Sequence, residues 1–521
     1  MRPNVGGRAL EIDSPKANPQ RVGDQSKPNA LPSLVAVGLF AAIVIAMLPN
    51  RHLYDDETIN AFFIRHYDLP HLVAHTQKVD VHPPLQYVAN WLIYHLFGSL
   101  EAILWVNAVL VAFAIGFLVD SWSKTVAPNQ RLPLAVACAL NPAFLFWCVS
   151  LRWYAYWVPV SVVILCQLYL RPRTPRTLWV VAALSVLNFY VGYLTGLFSI
   201  AIAVYELAVR KTKPTPRIAA AVLAGFALIL PQLLNMVRVQ MPKSHDQASH
   251  SIPLLAKESV IGSLLGAGIS PHSLWAAAMV AAIALGLVLV LLQRPRAFLR
   301  EVNPLLVVSL IFLLLAVVAG IAVKDRNLAI VQVCLWAWLA VELTKVRSPW
   351  PLLVGAVWLA AAADSAFNVI RSQGTGRGSS NLPIFQVLAK IKSDAAQRGV
   401  SPSQVYLVTW NDPFALYGDL AGFHVVSPFM RDPDYHNPTD YPMSLPAGQF
   451  VVLLKTGPQA WEGATLQSAN DMYRFTHTDL RDVQTAAFGP DPYPESDQPF
   501  MVYYESGWSV RGLDLHWRGV W

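Results

Sequence analysis

The sequence predicts a polytopic α-helical membrane protein with about eleven transmembrane helices, followed by a small C-terminal α/β extracytoplasmic domain. Of its 521 residues, 55% are apolar and only 14% are charged, whereas an ordinary soluble domain has about 25% charged residues. The apolar residues lie between Leu31 and Ile370 in runs of about 17–21 residues, the length that crosses a hydrocarbon core of ~30 Å. After Ile370 the chain becomes polar and rich in Pro and Asp, which predicts a change from membrane to aqueous surroundings.

Residues 1–30 precede the first apolar run and are rich in Pro, Asn, Gln and charged side chains. This composition predicts a disordered cytoplasmic tail. A cleaved signal peptide is disfavoured, because the basic region is long and no small-residue cleavage site follows the apolar run.

The region from 31 to 370 is predicted to be one transmembrane domain. Its predicted spans cover residues 32–49, 101–120, 132–149, 154–170, 177–190, 193–209, 218–236, 274–292, 304–323, 327–344 and 350–369. The apolar stretch Pro83–Phe97 is not counted, because it is short for a crossing and contains Gln86, Asn90 and His95. We predict instead a re-entrant or interfacial helix, which makes residues 50–100 a single large outer loop.

The distribution of Lys and Arg predicts the orientation of these spans. Cations are concentrated in alternate connections, at residues 121–131, 171–176, 210–217, 293–303 and 344–350. Such connections face the cytoplasm, so the N-terminus is predicted inside a plasma (inner) membrane and the C-terminus outside. The net charge of +7 therefore reflects topology, and nucleic acid is not predicted as a partner.

The C-terminal segment, residues 371–521, is predicted to form the extracytoplasmic domain. Gln404–Thr409, Phe450–Leu454 and Met501–Tyr504 are predicted to be short buried strands. Leu382–Gln397 has apolar residues on one face and is predicted to be an amphipathic helix. We find no catalytic motif in this segment.

Three adjacent acids, Asp55, Asp56 and Glu57, directly follow the first span. Their mutual repulsion favours either a raised pKa for one of them or the recruitment of a cation or basic partner. A carboxylate in a partly dry pocket could act as general base for a hydroxyl or amine nucleophile. The alternative is a solvated acidic turn in which Asp55 or Asp56 caps the next helix.

A second polar group in the same loop is the segment 80–84, Asp-Val-His-Pro-Pro. The two prolines fix the backbone direction next to His82. Helix initiation by Pro83 and Pro84 would explain the prolines but not Asp80 and His82, so we predict that these two side chains help to form a site.

Further polar residues lie at outward-facing ends of spans: Arg152, Tyr154, Lys324, Asp325 and Arg326. The three cations among them run against the positive-inside bias. Arg can hold a phosphate bidentately and Lys as a point charge. Taken individually, each cation is better explained as an interfacial anchor or as a member of an ion pair. Together with the acids they indicate an outer site for an anionic substrate and a nucleophile.

No metal site is predicted. The four cysteines lie in apolar segments, which is typical of small buried side chains rather than of disulfides or thiolate ligands. His71 and His75 have helical spacing suited to a metal, but no third ligand is evident. No cofactor is predicted with certainty, and a divalent cation near the acids stays open.

Asp56-Glu57 after the first span, followed by Asp-x-His-Pro-Pro-Leu-x-Tyr at 80–87, resembles the bacterial family 39-type glycosyltransferases of the GT-C fold. These enzymes are related to protein O-mannosyltransferases and to the aminoarabinose transferase of lipid A. The Arg152-x-Tyr154 turn, residues 189–196 and the late span that begins at Arg326 are similar to the same pattern. The resemblance covers most of the region from Leu31 to Ile370.

This resemblance implies a hexosyl or pentosyl transferase that takes a sugar from a polyprenyl-phosphate donor at the outer face of the membrane. The acceptor would be an envelope lipid, glycan or protein, and membrane lipids would surround the site. Asp56 would be the base with Glu57 supporting it, and Asp55 is the alternative base. The implied substrate-binding residues are Asp80, His82, Arg152, Tyr154, Lys324 and Arg326.

Two other functions compete with transfer. A transporter or flippase for a lipid-linked or anionic solute would be expected to show internal repeats and broken helices near the middle of the membrane. We find no repeat, and the polar residues gather at the outer surface instead. A polysaccharide polymerase or ligase would differ mainly in its acceptor, with its cations expected in the late loop 244–272.

Overall fold

A computed structural model describes the chain in segments: 30–48, 53, 55–78, 82–212, 215–240, 274–293, 303–318, 325–346, 354–357, 359–360, 363, 384–397, 399–409, 412–426, 441–445, 450–455, 471–475, 502–507 and 513–517. The predicted tail 1–30, apart from its last residue, the loop 244–272 and most of the predicted span 350–369 lie outside these residues.

The regular elements described in the membrane region are all helical. Its helices are α1 (Leu31–Met47), α2 (Asp55–His66), α3 (Leu69–Lys78), α4 (Leu85–Phe97), α5 (Leu100–Ser123), α6 (Pro128–Ala139), α7 (Tyr154–Tyr169), α8 (Pro175–Val191), α9 (Leu194–Val204), α10 (Pro216–Asn235), α11 (Leu274–Gln293), α12 (Pro304–Val318) and α13 (Ala329–Leu343). Two helical stretches, Leu100–Ser123 and Pro216–Arg238, have the length and hydropathy of a membrane span. At the other predicted spans the continuous apolar helix whose side chains are described covers at most 17 residues, so the count of eleven spans stays a prediction.

The predicted span 132–149 is wrong as a continuous helix. α6 ends at Ala139, a π-helical turn covers Ala143–Trp147, and residues 148–153 form bends before α7 begins. Pro142 lies at the break, where its missing N–H and its ring prevent a regular helix from continuing. An irregular segment is therefore buried within the bundle, and its backbone groups need partners from side chains.

The stretch Pro83–Phe97 forms a helix separate from the next span. α4 has 13 residues and ends at Gly98, which adopts a left-handed conformation with φ 69°. Ser99 then caps α5, since its side chain accepts a hydrogen bond from the Glu101 N–H at 3.1 Å. These two signals separate a short helix in the predicted outer loop from the long apolar helix that follows; the interfacial position of α4 stays a prediction.

The bundle core lies where α5 packs against α1 and α7 and where α13 packs against α6 and α12. Trp157, Phe198 and Phe312 pack together there, with ring centroids 5.8–6.2 Å apart. All four cysteines are free and buried, as the sequence predicts.

The C-terminal elements contain both helices and strands. They are α14 (Ile384–Gln397), α15 (Asp412–Leu420), β1 (Val405–Thr409), β2 (His424–Val426), β3 (Tyr441–Leu445), β4 (Phe450–Lys455), β5 (Asp471–Phe475), β6 (Val502–Gly507) and β7 (Leu513–Trp517). β1 pairs in parallel with β2 and β4, while β6 is antiparallel to β4 and β5, giving the order β2-β1-β4-β6-β5; β3 and β7 form a second sheet. The three predicted strands and the predicted amphipathic helix are confirmed within a few residues. Their extracytoplasmic location stays a prediction.

Candidate active site

The three adjacent acids form the first turn of α2, which begins at Asp55. Negative charge is favourable there, because the peptide dipoles of a helix point their positive ends at its first turn. The acids therefore begin a helix, and the capping role of Asp55 or Asp56 stays a prediction. The side chains of Asp55 and Asp56 lie outside the described part of the chain, whereas that of Glu57 is described.

Glu57 points into the protein and is fully buried. Its Oε1 accepts a hydrogen bond of 2.8 Å from the backbone N–H of Leu151. A buried carboxylate needs such compensation, because an ionised group without a partner in an apolar interior is strongly disfavoured. Glu57 thus connects the acidic turn directly to the irregular segment between α6 and α7.

Three amide side chains bind the other backbone polar group of Leu151, its carbonyl. The Leu151 carbonyl oxygen accepts hydrogen bonds from Asn60 at 3.1 Å, Gln86 at 3.2 Å and Asn90 at 2.9 Å. All three side chains are fully buried. We call Glu57, Asn60, Gln86 and Asn90, together with Leu151, the Leu151 cluster. It fixes α2 and α4 relative to the bundle, since every one of its bonds crosses between separate elements.

Arg152 lies next to this cluster. Its side chain is buried, and Nη1 donates a hydrogen bond of 3.3 Å to Asn60 Oδ1. Asn60 is one turn after Glu57 on α2, so the guanidinium and the acidic turn are held by the same two elements. Tyr154 is fully buried between Trp147 and Trp153, with ring centroids 5.6 and 5.5 Å away, and so contributes packing.

His82 is brought to the same segment through Trp153. Their ring centroids lie 5.7 Å apart. On another side of Trp153, the chain at Gly192 passes so closely that a Cβ there would be 2.6 Å from Trp153 Cε3. Residues 82, 152–154 and 192, which are distant in the sequence, therefore meet around one indole ring.

The remaining predicted site residues are described only in part. Asp80 and Lys324 lie outside the described residues. Arg326 is in a 3₁₀ turn, Asp325–Leu328, directly before α13, and its side chain is not among those described. Their predicted roles stay predictions.

Several residues of the site are not predicted from motifs. Asn107 donates to the Ser150 carbonyl at 2.6 Å, and the Tyr156 hydroxyl donates to Asn90 Oδ1 at 2.6 Å. The available signal is spacing: Glu57 and Asn60 are three residues apart, and Gln86 and Asn90 four, so each pair occupies one helix face. Polar side chains at such spacing in an apolar helix indicate a shared buried partner.

Among the described residues, no group of three or more His, Cys, Asp or Glu side chains could hold a metal ion. The two histidines with metal-like spacing have aromatic neighbours instead. His71 stacks on Tyr67 with centroids 4.4 Å apart, and the ring of His75 lies 4.5 Å from that of Phe63.

The comparison with solved structures confirms the GT-C fold that the sequence predicts. The chain is similar to ArnT from Cupriavidus metallidurans in a crystal structure bound to undecaprenyl phosphate, with 12% identity and a TM-score of 0.52 over 90% of this chain and 97% of that one. The apo structure of that ArnT gives 13% identity and the same TM-score and coverage. The Archaeoglobus fulgidus oligosaccharyltransferase is also similar, at 12% identity over 77% of this chain and 62% of that chain, with a TM-score of 0.42. No protein-family model and no curated protein sequence matches the chain.

Proposed function

We propose that this protein is a glycosyltransferase that moves a sugar from a polyprenyl-phosphate donor to an envelope lipid, glycan or protein on the outer face of the membrane. One observation carries the proposal: the acidic turn of α2 and the guanidinium of Arg152 are held together at Leu151. Glu57 accepts from the Leu151 N–H at 2.8 Å, and Asn60 accepts from Arg152 at 3.3 Å. A proton acceptor and a phosphate-binding group are what transfer from a lipid phosphate requires. The fold shared with an ArnT bound to undecaprenyl phosphate supports the same chemistry.

The individual roles are those that the sequence resemblance implies. The carboxylate of Asp56 takes the proton of the acceptor hydroxyl or amine as its oxygen or nitrogen bonds to the anomeric carbon. The bond from that carbon to the phosphate oxygen breaks, its electron pair stays on the phosphate, and the anomeric centre is inverted. Arg152, with Lys324 or Arg326, stabilises the charge that develops on the leaving phosphate.

Glu57 acts differently from its two neighbours in this proposal. Its Oε1 already accepts a hydrogen bond from the Leu151 N–H, so Glu57 positions the turn rather than accepting the proton. His82 shapes the donor site beside Trp153, and Tyr154 supports it by packing on the same indole. Asp80 is assigned to the same site by its place in the Asp-x-His-Pro-Pro motif.

The test of the base is a matched pair of variants, Asp56→Asn and Asp55→Asn, in a strain that lacks the chromosomal copy. Envelope lipids and glycans of the deletion strain are analysed for a missing sugar, and each variant is tested for restoring it. We expect Asp55→Asn to restore the sugar and Asp56→Asn to leave it missing. The opposite pattern moves the role to Asp55, and full restoration by both refutes a base in this turn.

Donor binding is tested with undecaprenyl phosphate as the probe on the purified protein. Loss of a charged hydrogen bond of about 1.5–3 kcal/mol predicts roughly 10- to 100-fold weaker binding for Arg152→Ala and Arg326→Ala. Arg217→Ala, at the exposed start of α10, is the matched control and should bind normally. Equal binding by all variants would refute the phosphate roles, and lipid translocation without formation of a glycosidic bond would favour the transporter.

A further inference from the structure

The C-terminal helix α15 contacts the acid-bearing helix α2 near both ends of α2. Just before α2, the backbone N–H of Leu53 donates a hydrogen bond of 2.9 Å to the Tyr417 hydroxyl. In the last turn of α2, Arg65 and His66 both reach Asp419 Oδ2, at 2.5 and 3.3 Å. These contacts join segments more than 350 residues apart in the sequence. On α15, the two contacting residues, Tyr417 and Asp419, are two positions apart.

An apolar contact accompanies these two polar ones. Ala415 of α15 is fully buried in a cluster with Phe62 and Phe63 of α2 and with Tyr87 of α4. Such a contact gives the two helices a fixed separation, while the polar contacts fix their register. α2 is therefore held both by the Leu151 cluster and by α15.

The contact at Leu53 is the one that bears on chemistry. Leu53 is buried and stands two residues before Asp55, so the direction in which the chain enters α2 is set there. A displacement of about 1 Å in a reacting group can reduce a rate by roughly 100-fold. The Tyr417 hydroxyl thus restrains the backbone two residues before the acidic turn.

The contact at Asp419 is electrostatic. Burial alone would raise the pKa of this carboxyl, but the hydrogen bond from His66 and the charges of Arg65 and His66 outweigh burial and lower it. The charged form is thus the one that the helix contact favours. Because this pair is partly buried, exchanging its charges should preserve the contact whereas reversing one charge should break it.

We propose that α15 is part of the transferase site, with Tyr417 and Asp419 as positioning residues that hold the acidic turn of α2 toward the donor. This inference rests on the proposed function of that turn. It assigns a task to C-terminal elements in which the sequence shows no catalytic motif.

The first experiment compares Tyr417→Phe with Tyr406→Phe in the full-length protein by hydrogen exchange. Loss of the hydroxyl removes the acceptor for the Leu53 N–H, so exchange at Leu53 and the first turn of α2 should accelerate about fivefold. Tyr406 stacks on His424 within the C-terminal elements, and its change to Phe should leave these amides unaffected. Unchanged exchange in Tyr417→Phe overturns the role of Tyr417, whatever the substrate.

The second experiment reverses charges across the pair. Asp419→Arg should lower the turnover number about tenfold while leaving the KM for the lipid donor unchanged, because the donor site itself is not altered. Adding Arg65→Asp should restore most of the turnover. A double variant no better than Asp419→Arg, or a rise in KM without loss of turnover, overturns the positioning role of Asp419.

Asp56→Asn, measured in parallel, separates this inference from the function on which it rests. If Asp56→Asn is inactive while Tyr417→Phe and Asp419→Arg behave as wild type in exchange and turnover, α15 has no positioning role and the proposed function stands. If Asp56→Asn is fully active, the proposed base fails, and hydrogen exchange still decides whether α15 holds α2.

Discussion

Changing Gly192 to Ala should disturb the site through Trp153, although the two residues are 39 positions apart. The φ of Gly192 is −160°, an extended conformation that any residue adopts, so the backbone itself accepts alanine. The obstacle is space. An alanine Cβ would lie 2.6 Å from Trp153 Cε3 and 3.2 Å from Cζ3, whereas carbon atoms in contact are about 3.5–4.0 Å apart.

The indole ring has little room to retreat. Trp153 is buried, and its ring centroid lies 5.7 Å from that of His82, 5.5 Å from Tyr154 and 5.4 Å from Trp157. Overpacking of this kind costs about 1–3 kcal/mol, and the reduced freedom of the unfolded chain returns about 0.4–1 kcal/mol. We therefore expect Gly192→Ala to lower the free energy of unfolding by about 1–2 kcal/mol and to lower transfer as His82 shifts.

Thermal unfolding in detergent and the transfer assay measure these effects. Gly38→Ala is the matched control, because a Cβ at Gly38 meets nothing within 4 Å. Trp153→Phe replaces the indole with a single ring and so removes the benzo ring that the new Cβ would strike. Combining it with Gly192→Ala should therefore show a favourable coupling of about 1 kcal/mol. Full stability and activity in Gly192→Ala, or strictly additive effects in the double variant, would refute the steric argument.

Three further predictions concern single side chains. Glu57→Gln keeps an acceptor for the Leu151 N–H and should fold normally, whereas Glu57→Leu leaves that buried donor unsatisfied and should cost about 1–3 kcal/mol in unfolding free energy; equal stability of both would contradict the bond. Gly418→Ala would place a Cβ in steric overlap with Leu407 Cδ2, so protease sensitivity of the C-terminal elements should rise, and unchanged digestion would argue against that packing. Because the folded pKa of Asp419 is lowered, its contribution is complete above the unfolded value of about 3.9 and is lost as pH falls through the folded pKa. The protection factors of α15 amides, which correct exchange rates for their intrinsic pH dependence, should thus fall below about pH 4 in wild type but not change further in Asp419→Asn.

Composition and punctuation in the sequence predict much of the architecture. Apolar runs predict helices, and the shortness of the run Pro83–Phe97 predicts a helix separate from the next span, as the caps at Gly98 and Ser99 make it. The strands β1, β4 and β6 follow from short apolar runs in a polar segment. These features are local, because helix caps, turns and apolar periodicity act within a few residues of the chain. The wrong prediction of one continuous helix over 132–149 also comes from a local signal, because hydropathy does not register the effect of Pro142 on a helix.

The sequence by itself determined a membrane bundle with an acidic turn, a His-Pro-Pro motif and an Arg-x-Tyr turn that could belong to one site. Only the tertiary structure decided how the described parts meet: Glu57 and three amides bind the two polar groups of Leu151, and α15 holds α2 through Tyr417 and Asp419. The physical reason is that a buried irregular backbone must find its hydrogen bonds wherever the fold brings a side chain. Those partners come from positions tens to hundreds of residues away, and no local pattern in the sequence specifies which of them will meet.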